Sequence, residues 1–161
     1  MKRYHMIKKK LEIADNTEID RILSSGKYFT LSLCRDNEPY IVTLSYGYDK
    51  NKNGIYFHCA KRGLKLEFIK DNPKVCGTVV EDLGYRDGKC SHAFRSVIFW
   101  GEVSKIDNLG GMEHAYEVMT NQLESDPQAV RERILKNEID YKKALLYKIK
   151  ILEIVGKATK E

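Results

Sequence analysis

Eight consecutive residues, His58-Cys-Ala-Lys-Arg-Gly-Leu-Lys65, hold an imidazole, a thiol, three cations and a glycine. The run before them, Asn53-Gly-Ile-Tyr-Phe57, reads as a turn and a short strand of β-favouring residues. The run after them reads as a helix, with Leu64 and Phe68 one turn apart and Asp71-Asn-Pro73 as its stop. The polar corner therefore falls at a helix N-terminus, where free backbone N–H groups and the helix dipole favour an anion. Lys61, Arg62 and Lys65 would make it a dianion site, with phosphate the obvious dianion, and Gly63 would let the backbone turn tightly. A solvated loop with three unpaired cations accounts for the same residues equally well.

The remaining inventory is thin. His58 stands at a strand end beside the corner, as a structural hydrogen-bonding residue or as a ligand contact and proton donor. His5 lies in a basic lead-in, His92 in a charged stretch and His114 on a helix of ordinary surface pattern. None has ligand spacing, so no metal site is expected. Cys59 could be a nucleophile if Lys61 or Arg62 held its thiolate; otherwise it is a small buried thiol whose backbone does the binding. There is no phosphate-loop lysine motif, no dinucleotide fingerprint after a strand and no nucleophile-elbow serine. Chemistry carried by a bound cofactor fits this inventory better than protein acid/base or nucleophilic catalysis.

The elements that must position these residues are mostly strands. Tyr28–Arg35 alternates Phe29, Leu31 and Leu33 with Thr30, Ser32 and Cys34, and Pro39–Tyr48 returns after the turn Asp36-Asn-Glu38. Lys74–Val80, a long Ala93–Ile106 and Lys143–Val155 complete about six strands with the anchor strand. Gly101 marks a bulge or a close backbone approach in the long strand. Glu81–His92, with Gly84 and Gly88, reads as a mobile loop. Helices are expected at Glu18–Ser25, with Thr17 and Asp20 as a capping box and Gly26 as stop, and around Met112–Leu123. Another starts with Asp126 as N-cap before Pro127. The stripe of Met112 and Met119 suits core packing better than a cofactor lining. Without regular strand–helix alternation the pattern suits a mainly β domain with peripheral helices, an antiparallel barrel.

At 161 residues one domain spans 1–161, with a basic lead-in over 1–14 that could pair at a sheet edge and a polar tail from 157 to 161. No apolar run is long enough for a bilayer, and the N-terminus lacks the apolar core of a secretory signal, so no membrane partner is expected. Cys34, Cys59, Cys76 and Cys90 are dispersed, which fits reduced thiols in a cytoplasmic protein. The net charge of +5 suits a small anionic ligand as well as nucleic acid, but the tyrosines fall in strand-like runs, so nucleic acid ranks lowest.

Taken in order, Pro39-Tyr-Ile-Val-Thr-Leu-Ser-Tyr-Gly-Tyr-Asp49, Ile55-Tyr-Phe-His-Cys-Ala60, Gly63-Leu-Lys65, Arg95-Ser-Val-Ile98 with Gly101, and Ile154-Val-Gly-Lys157 resemble a known family. It is the flavin-binding split-barrel family related to pyridoxamine 5′-phosphate oxidase, and the nitroimidazole-resistance branch is similar. The resemblance implies an antiparallel split β-barrel that binds FMN as a homodimer, with the flavin at the subunit interface. By that resemblance Val42, Thr43 and Leu44 would face the ring system. His58, Cys59, Ala60 and Lys65 would hold the phosphate and ribityl end, with Lys61 and Arg62 nearby. Ser96 and Val97 would lie close to the flavin. Thr43 and Ser45 stand where that branch usually has Pro and Asn, and Cys59 where serine is common. The implied activity is an oxidoreductase acting on small electrophiles such as nitroimidazoles, with His58 as candidate proton donor. The alternative is a non-catalytic flavin- or haem-binding protein of the same fold.

Overall fold

Alternation along the first long strand puts Phe29, Leu31 and Leu33 fully inside, and the same rule repeated strand by strand builds the barrel. The computed structural model describes residues 6–159. In chain order these form β1 (Glu12–Ile13), α1 (Asn16–Ser25), β2 (Tyr28–Arg35), β3 (Glu38–Ser45), β4 (Gly47–Asp49) and β5 (Gly54–Cys59). There follow α2 (Leu64–Asp71), β6 (Lys74–Arg86), β7 (Ser91–Lys105), α3 (Leu109–Leu123), α4 (Pro127–Ile134), α5 (Glu138–Tyr141) and β8 (Leu145–Ala158). His5 and the first residues of the basic lead-in lie outside the described residues, as do residues 160–161 of the expected tail. No helix among the described residues is long and apolar enough to cross a membrane.

All pairings are antiparallel, in the order β3-β2-β6-β7-β8-β5-β4, with β1 added on β8. The two ends of this sheet, β3 and β4, are consecutive in the chain with only Tyr46 between them. The sheet therefore rolls on itself, while its seam has no strand-to-strand ladder. Inside, the Phe29 ring lies 5.3 Å from Tyr46, 6.0 Å from Phe57 and 6.1 Å from Phe99. A second cluster, Tyr56, Met112, Ala115, Tyr116, Met119 and Leu146, seats α3 on the outer face of the barrel. The methionine stripe is core packing, as its spacing suggested.

Several expectations need correction. There are eight strands rather than about six: β1 has two residues and β4 three, too few for a periodic signal. Pro39–Tyr48 is not one strand, because the chain turns inward at the buried Tyr46 and β4 pairs with β5 instead. Glu81–His92 is not a loop but the outer end of the β6–β7 hairpin, with a register shift between Asp82 and Tyr85. Its residues are mostly exposed, so no apolar alternation announced it. The cap of α1 is Asp15, whose carboxylate accepts the Thr17 N–H at 2.8 Å, rather than a Thr17–Asp20 box. The four-residue α5 was not foreseen, and β8 runs to Ala158 into the expected tail. Gly101 does sit at a register break in β7, where a side chain would meet the Lys150 carbonyl.

One side chain ties three of these elements together. Gln122 on α3 donates to the Gly26 carbonyl at 2.6 Å and to the Leu23 carbonyl at 3.2 Å, and accepts the Tyr48 N–H at 2.8 Å. It thus satisfies the end of α1 and the backbone of β4 at once. Gln122→Leu leaves those groups short of partners, at a cost of about 1–2 kcal/mol. The expected result is a fall in Tm of roughly 2–8 °C by calorimetry, with Gln122→Glu intermediate.

Candidate functional site

Strand β5 delivers its last residues to the rim of the barrel and α2 leaves from the same place. Gly63 precedes α2 with φ 140°, a backbone conformation that strains any other residue, and open space surrounds the position of a would-be Cβ. The other four α-helices start under a side-chain cap, from Asp15, Asn108, Asp126 and Asn137. No side chain caps α2; the Leu66 N–H turns back to the Gly63 carbonyl at 3.0 Å, which leaves the Leu64 and Lys65 N–H groups to solvent or a ligand. Lys61 and Arg62 are exposed, Lys65 is half-buried, and none of the three has a carboxylate partner among the described residues. An uncapped helix N-terminus with Arg62 before it and Lys65 in its first turn is a good receptor for a phosphate dianion, while Lys61 lines a neighbouring cavity with Lys105 and Lys142.

His58 and Cys59 are neighbours in sequence but lie on opposite faces of β5. Cys59 points into the barrel at 7% exposure. Burial pushes its thiol above the ordinary value, only partly opposed by the Lys65 charge. A neutral, enclosed thiol does not act as a nucleophile, so that alternative falls. His58 points outward into a cleft of about 100 Å³ between the barrel and α3–α4, lined also by Ser45, Tyr116, Met119, Leu123 and Ile134. Its ring lies 6.4 Å from that of Tyr116. The residue is exposed on the open side of the cleft, and partial desolvation by the residues packed beside it lowers its pKa from 6.5, so the imidazole is mostly neutral at pH 7.

That shift has a sign. The unfolded chain binds a proton at His58 more readily than the fold does, so this contribution is intact above pH 6.5 and fades as pH falls through the window below it. The Asp49 carboxyl is also lowered: against the desolvation that raises it, His114 and the Asn51 and Lys52 N–H groups outweigh burial. Its contribution disappears only in the acid range below 3.8. Melting curves between pH 7 and 5 should therefore show a decline that His58→Gln flattens, while Asp49→Asn acts at lower pH.

The remaining candidates divide by side-chain direction. Val42 and Leu44 are half-buried and packed against the core, and Val97 is wholly buried, so these three can offer a ligand only their backbone. Thr43 faces outward from β3, its Oγ1 3.3 Å from that of Thr30, and Ala60 is exposed at the rim. Ser96 is half-buried on β7 opposite Val80, separated from Thr43 by β2 and β6. The seam draws the two halves of the set together, since Ser45 at the end of β3 and His58 on β5 line one cleft. The α3–α4 residues of that cleft were missed as site residues; the methionine stripe was the one signal that touched them, and Met119 lines the cleft from its edge. A larger cavity of about 500 Å³ holds Tyr48, Asp49 and His114. Its titratable pair and its tyrosine are already engaged: His114 Nε2 lies 2.8 Å from Asp49 Oδ2, and the Tyr48 hydroxyl donates to Asp20 at 2.8 Å. His114 is thus part of a packed pair rather than an ordinary surface residue. His92 pairs with Asp82 at 2.7 Å near the hairpin tip.

Comparison with solved structures gives the same architecture. A presumed 5-nitroimidazole antibiotic resistance protein from Bacteroides thetaiotaomicron superimposes with TM-score 0.74 at 22% identity, over 91% of this chain and 86% of that one. The flavocytochrome Anf3 from Azotobacter vinelandii gives TM-score 0.74 at 15% identity, over 100% of this chain and 73% of that one. A FAD-binding protein from Mesorhizobium loti gives 0.64 at 21%, over 91% and 96%. At these identities the likeness establishes the fold, the split barrel. An uncharacterized protein of Rhizobium meliloti (strain 1021) is 26% identical over 105 residues, 65% of this chain and 63% of that protein's length. The sequence model of pyridoxamine 5′-phosphate oxidase matches residues 15–158. With nearly every element of the barrel inside that match, the chain belongs to the pyridoxamine 5′-phosphate oxidase family.

Proposed function

We propose that this protein binds FMN as a homodimer and reduces small electrophiles of the nitroimidazole type. The observation that carries the reading is the uncapped start of α2 with Lys61, Arg62 and Lys65 around it, a ready receptor for the phosphate of a mononucleotide. Backbone of β3, a sheet edge paired only with β2, would run beside the ring system. When bound, the flavin supplies the hydride or electrons, and the protein's part is to hold, orient and protonate. The neutral His58 imidazole must first take up a proton to give one away. A proton delivered in this way typically contributes about 10²–10⁴ in rate. The names of the solved relatives, one a nitroimidazole resistance protein and one a FAD-binding protein, support a flavin-dependent reductase.

A second copy is supported by the outer face of the sheet. Ile41 is 64% and Val80 55% exposed there, with half-buried Ile98 and Val155 between small polar residues. Closed two-fold pairing is the common way to cover such a face. Titrating apoprotein with FMN and with riboflavin tests the cofactor, and equal affinity would refute phosphate anchoring. A monomer by light scattering with flavin bound would refute the dimer.

Haem is the weaker alternative, although one solved relative is a flavocytochrome. The candidate axial ligand, His58, opens into about 100 Å³, well under the ~300–1,000 Å³ of ordinary ligand sites. A macrocycle would have to displace α4. A Soret band in the purified protein, in place of flavin absorption, would reverse this order.

A further inference from the structure

We infer that α4 is the specificity wall of the site, and that the cleft it closes over His58 accepts one uncharged, single-ring heteroaromatic group and turns away fused rings and anions. This rests on the reductase reading for its purpose, but not for its test. The cleft is built from two sources. The barrel contributes Ser45 and His58, one residue beyond Leu44 and one before Cys59, so the cleft adjoins both segments assigned to the flavin. The helices contribute a mostly apolar side, Met119 and Leu123 from α3 and Val130 and Ile134 from α4, with Tyr116, Thr120 and Glu124 as its polar members.

Three features give the cleft its selectivity. The first is size: at about 100 Å³ and open to solvent, it compares with the ~150 Å³ apolar cavity that holds a benzene. One five- or six-membered ring fits, with its substituents outside, and a fused bicycle does not. The second is polarity. His58, exposed on the open side of the cleft, has no hydrogen-bond partner among the described residues, and its ring stands with the Ser45, Tyr116 and Thr120 side chains in a lining that is otherwise mostly apolar. A ring with its own N–H or ring nitrogen can bond it directly, whereas a plain hydrocarbon would displace the water it bonds and offer nothing in return. The third is charge: Glu124 is exposed at the rim beside Leu123, and its carboxylate disfavours an anionic substituent.

The wall is also adjustable. Helix α4 is fastened to α3 by Arg131, whose Nη1 donates to Thr120 Oγ1 at 2.7 Å and to Asn121 Oδ1 at 2.9 Å. None of its residues is buried, and Ile134 is 43% exposed at the mouth. Substitution at Ile134 therefore changes the cleft without touching the barrel core or the α2 corner.

The test uses the purified protein and redox-inert probes, with binding read from the His58 side-chain resonances by NMR. Pyrazole is the single-ring probe, indazole the fused one and pyrazole-4-carboxylate the anion. In the wild type, pyrazole should shift the His58 signals and bind at least tenfold tighter than either of the others. Ile134→Trp should weaken pyrazole at least tenfold. Ile134→Ala should narrow the gap between pyrazole and indazole, and Glu124→Gln the gap to the carboxylate. FMN affinity, titrated separately, should stay within twofold in all three variants, and melting curves confirm that each folds. Pyrazole that leaves the His58 signals unmoved, or that binds Ile134→Trp as well as the wild type, overturns the inference whether or not flavin binds. A protein that binds pyrazole as described but takes up no flavin overturns the reductase reading and leaves the cleft assignment standing.

Discussion

Gly47→Val is expected to cost at least about 3 kcal/mol and to lower Tm by roughly 6–12 °C. Gly47 opens β4, the three-residue strand at the seam, and α3 lies directly across it. A Cβ at this position would stand 2.7 Å from the Met119 N and Cα and from the Val118 carbonyl carbon. These are backbone atoms of a helix, which cannot rotate away as a side-chain tip can. The whole of α3 must lift. It would then strain the Gln122 bonds to α1 and β4, loosen the His114–Asp49 pair and open the Met112–Tyr116 cluster. Gly110→Ala is the control, because the added Cβ meets only Asn108 Oδ1 at 3.9 Å. That change should be neutral or stabilising by up to about 1 kcal/mol, since alanine suits a helix better. Equal melting temperatures for Gly47→Val and wild type would mean that α3 does not rest on β4 as described.

Lys65→Ala is expected to weaken FMN by about 10–100-fold and to leave riboflavin binding unchanged. A charge-assisted bond to phosphate is worth roughly 1.5–3 kcal/mol, and Lys65 is the half-buried cation of the three at the α2 corner. Lys61→Ala and Arg62→Ala, both more exposed, should each cost less because solvent screens them. Fluorescence titration of the apoprotein at two salt concentrations measures this. The loss must fall on FMN alone. A parallel loss of riboflavin would place Lys65 against the ring or ribityl chain instead of the phosphate.

The long strands and the α2 corner were legible because their signals are local. Phe29, Leu31 and Leu33 alternate within eight residues, and Gly63, Lys65 and Phe68 mark a helix start without help from elsewhere. What stayed hidden depends on partners distant in sequence. Gly47-Tyr-Asp49 looks like the end of the previous strand, and only its pairing with Gly54–Tyr56 makes it a separate element. Residues 81–86 carry too few apolar side chains to read as a strand, and the facing strand supplies their order. The cleft around His58 was hidden for the same reason. Met119 and Ile134 lie 61 and 76 residues beyond His58, and their spacing says only that they belong to helices. Direction of side chains was also beyond reach, so Val97 and Cys59 were grouped with residues that face outward.

The position of β8 also sets when this chain can fold. Of the strands described, the last to be made is a central one, hydrogen-bonded to β7 on one side and to β5 on the other. Before it arrives, β5 and β4 form only a short two-stranded piece, and β2, β3, β6 and β7 form a separate sheet with an open edge at β7. Even β1, the first of these strands to be made, waits for its partners Gly156 and Lys157. The hairpins β2–β3, β4–β5 and β6–β7 can form locally, but the pairings that join them through β8 close long loops, a step that slows folding. During synthesis two unpaired edges coexist with exposed phenylalanines, the condition under which nascent chains aggregate or need a chaperone. The barrel cannot close until β8 has been made, and the insertion of that one strand closes it all at once.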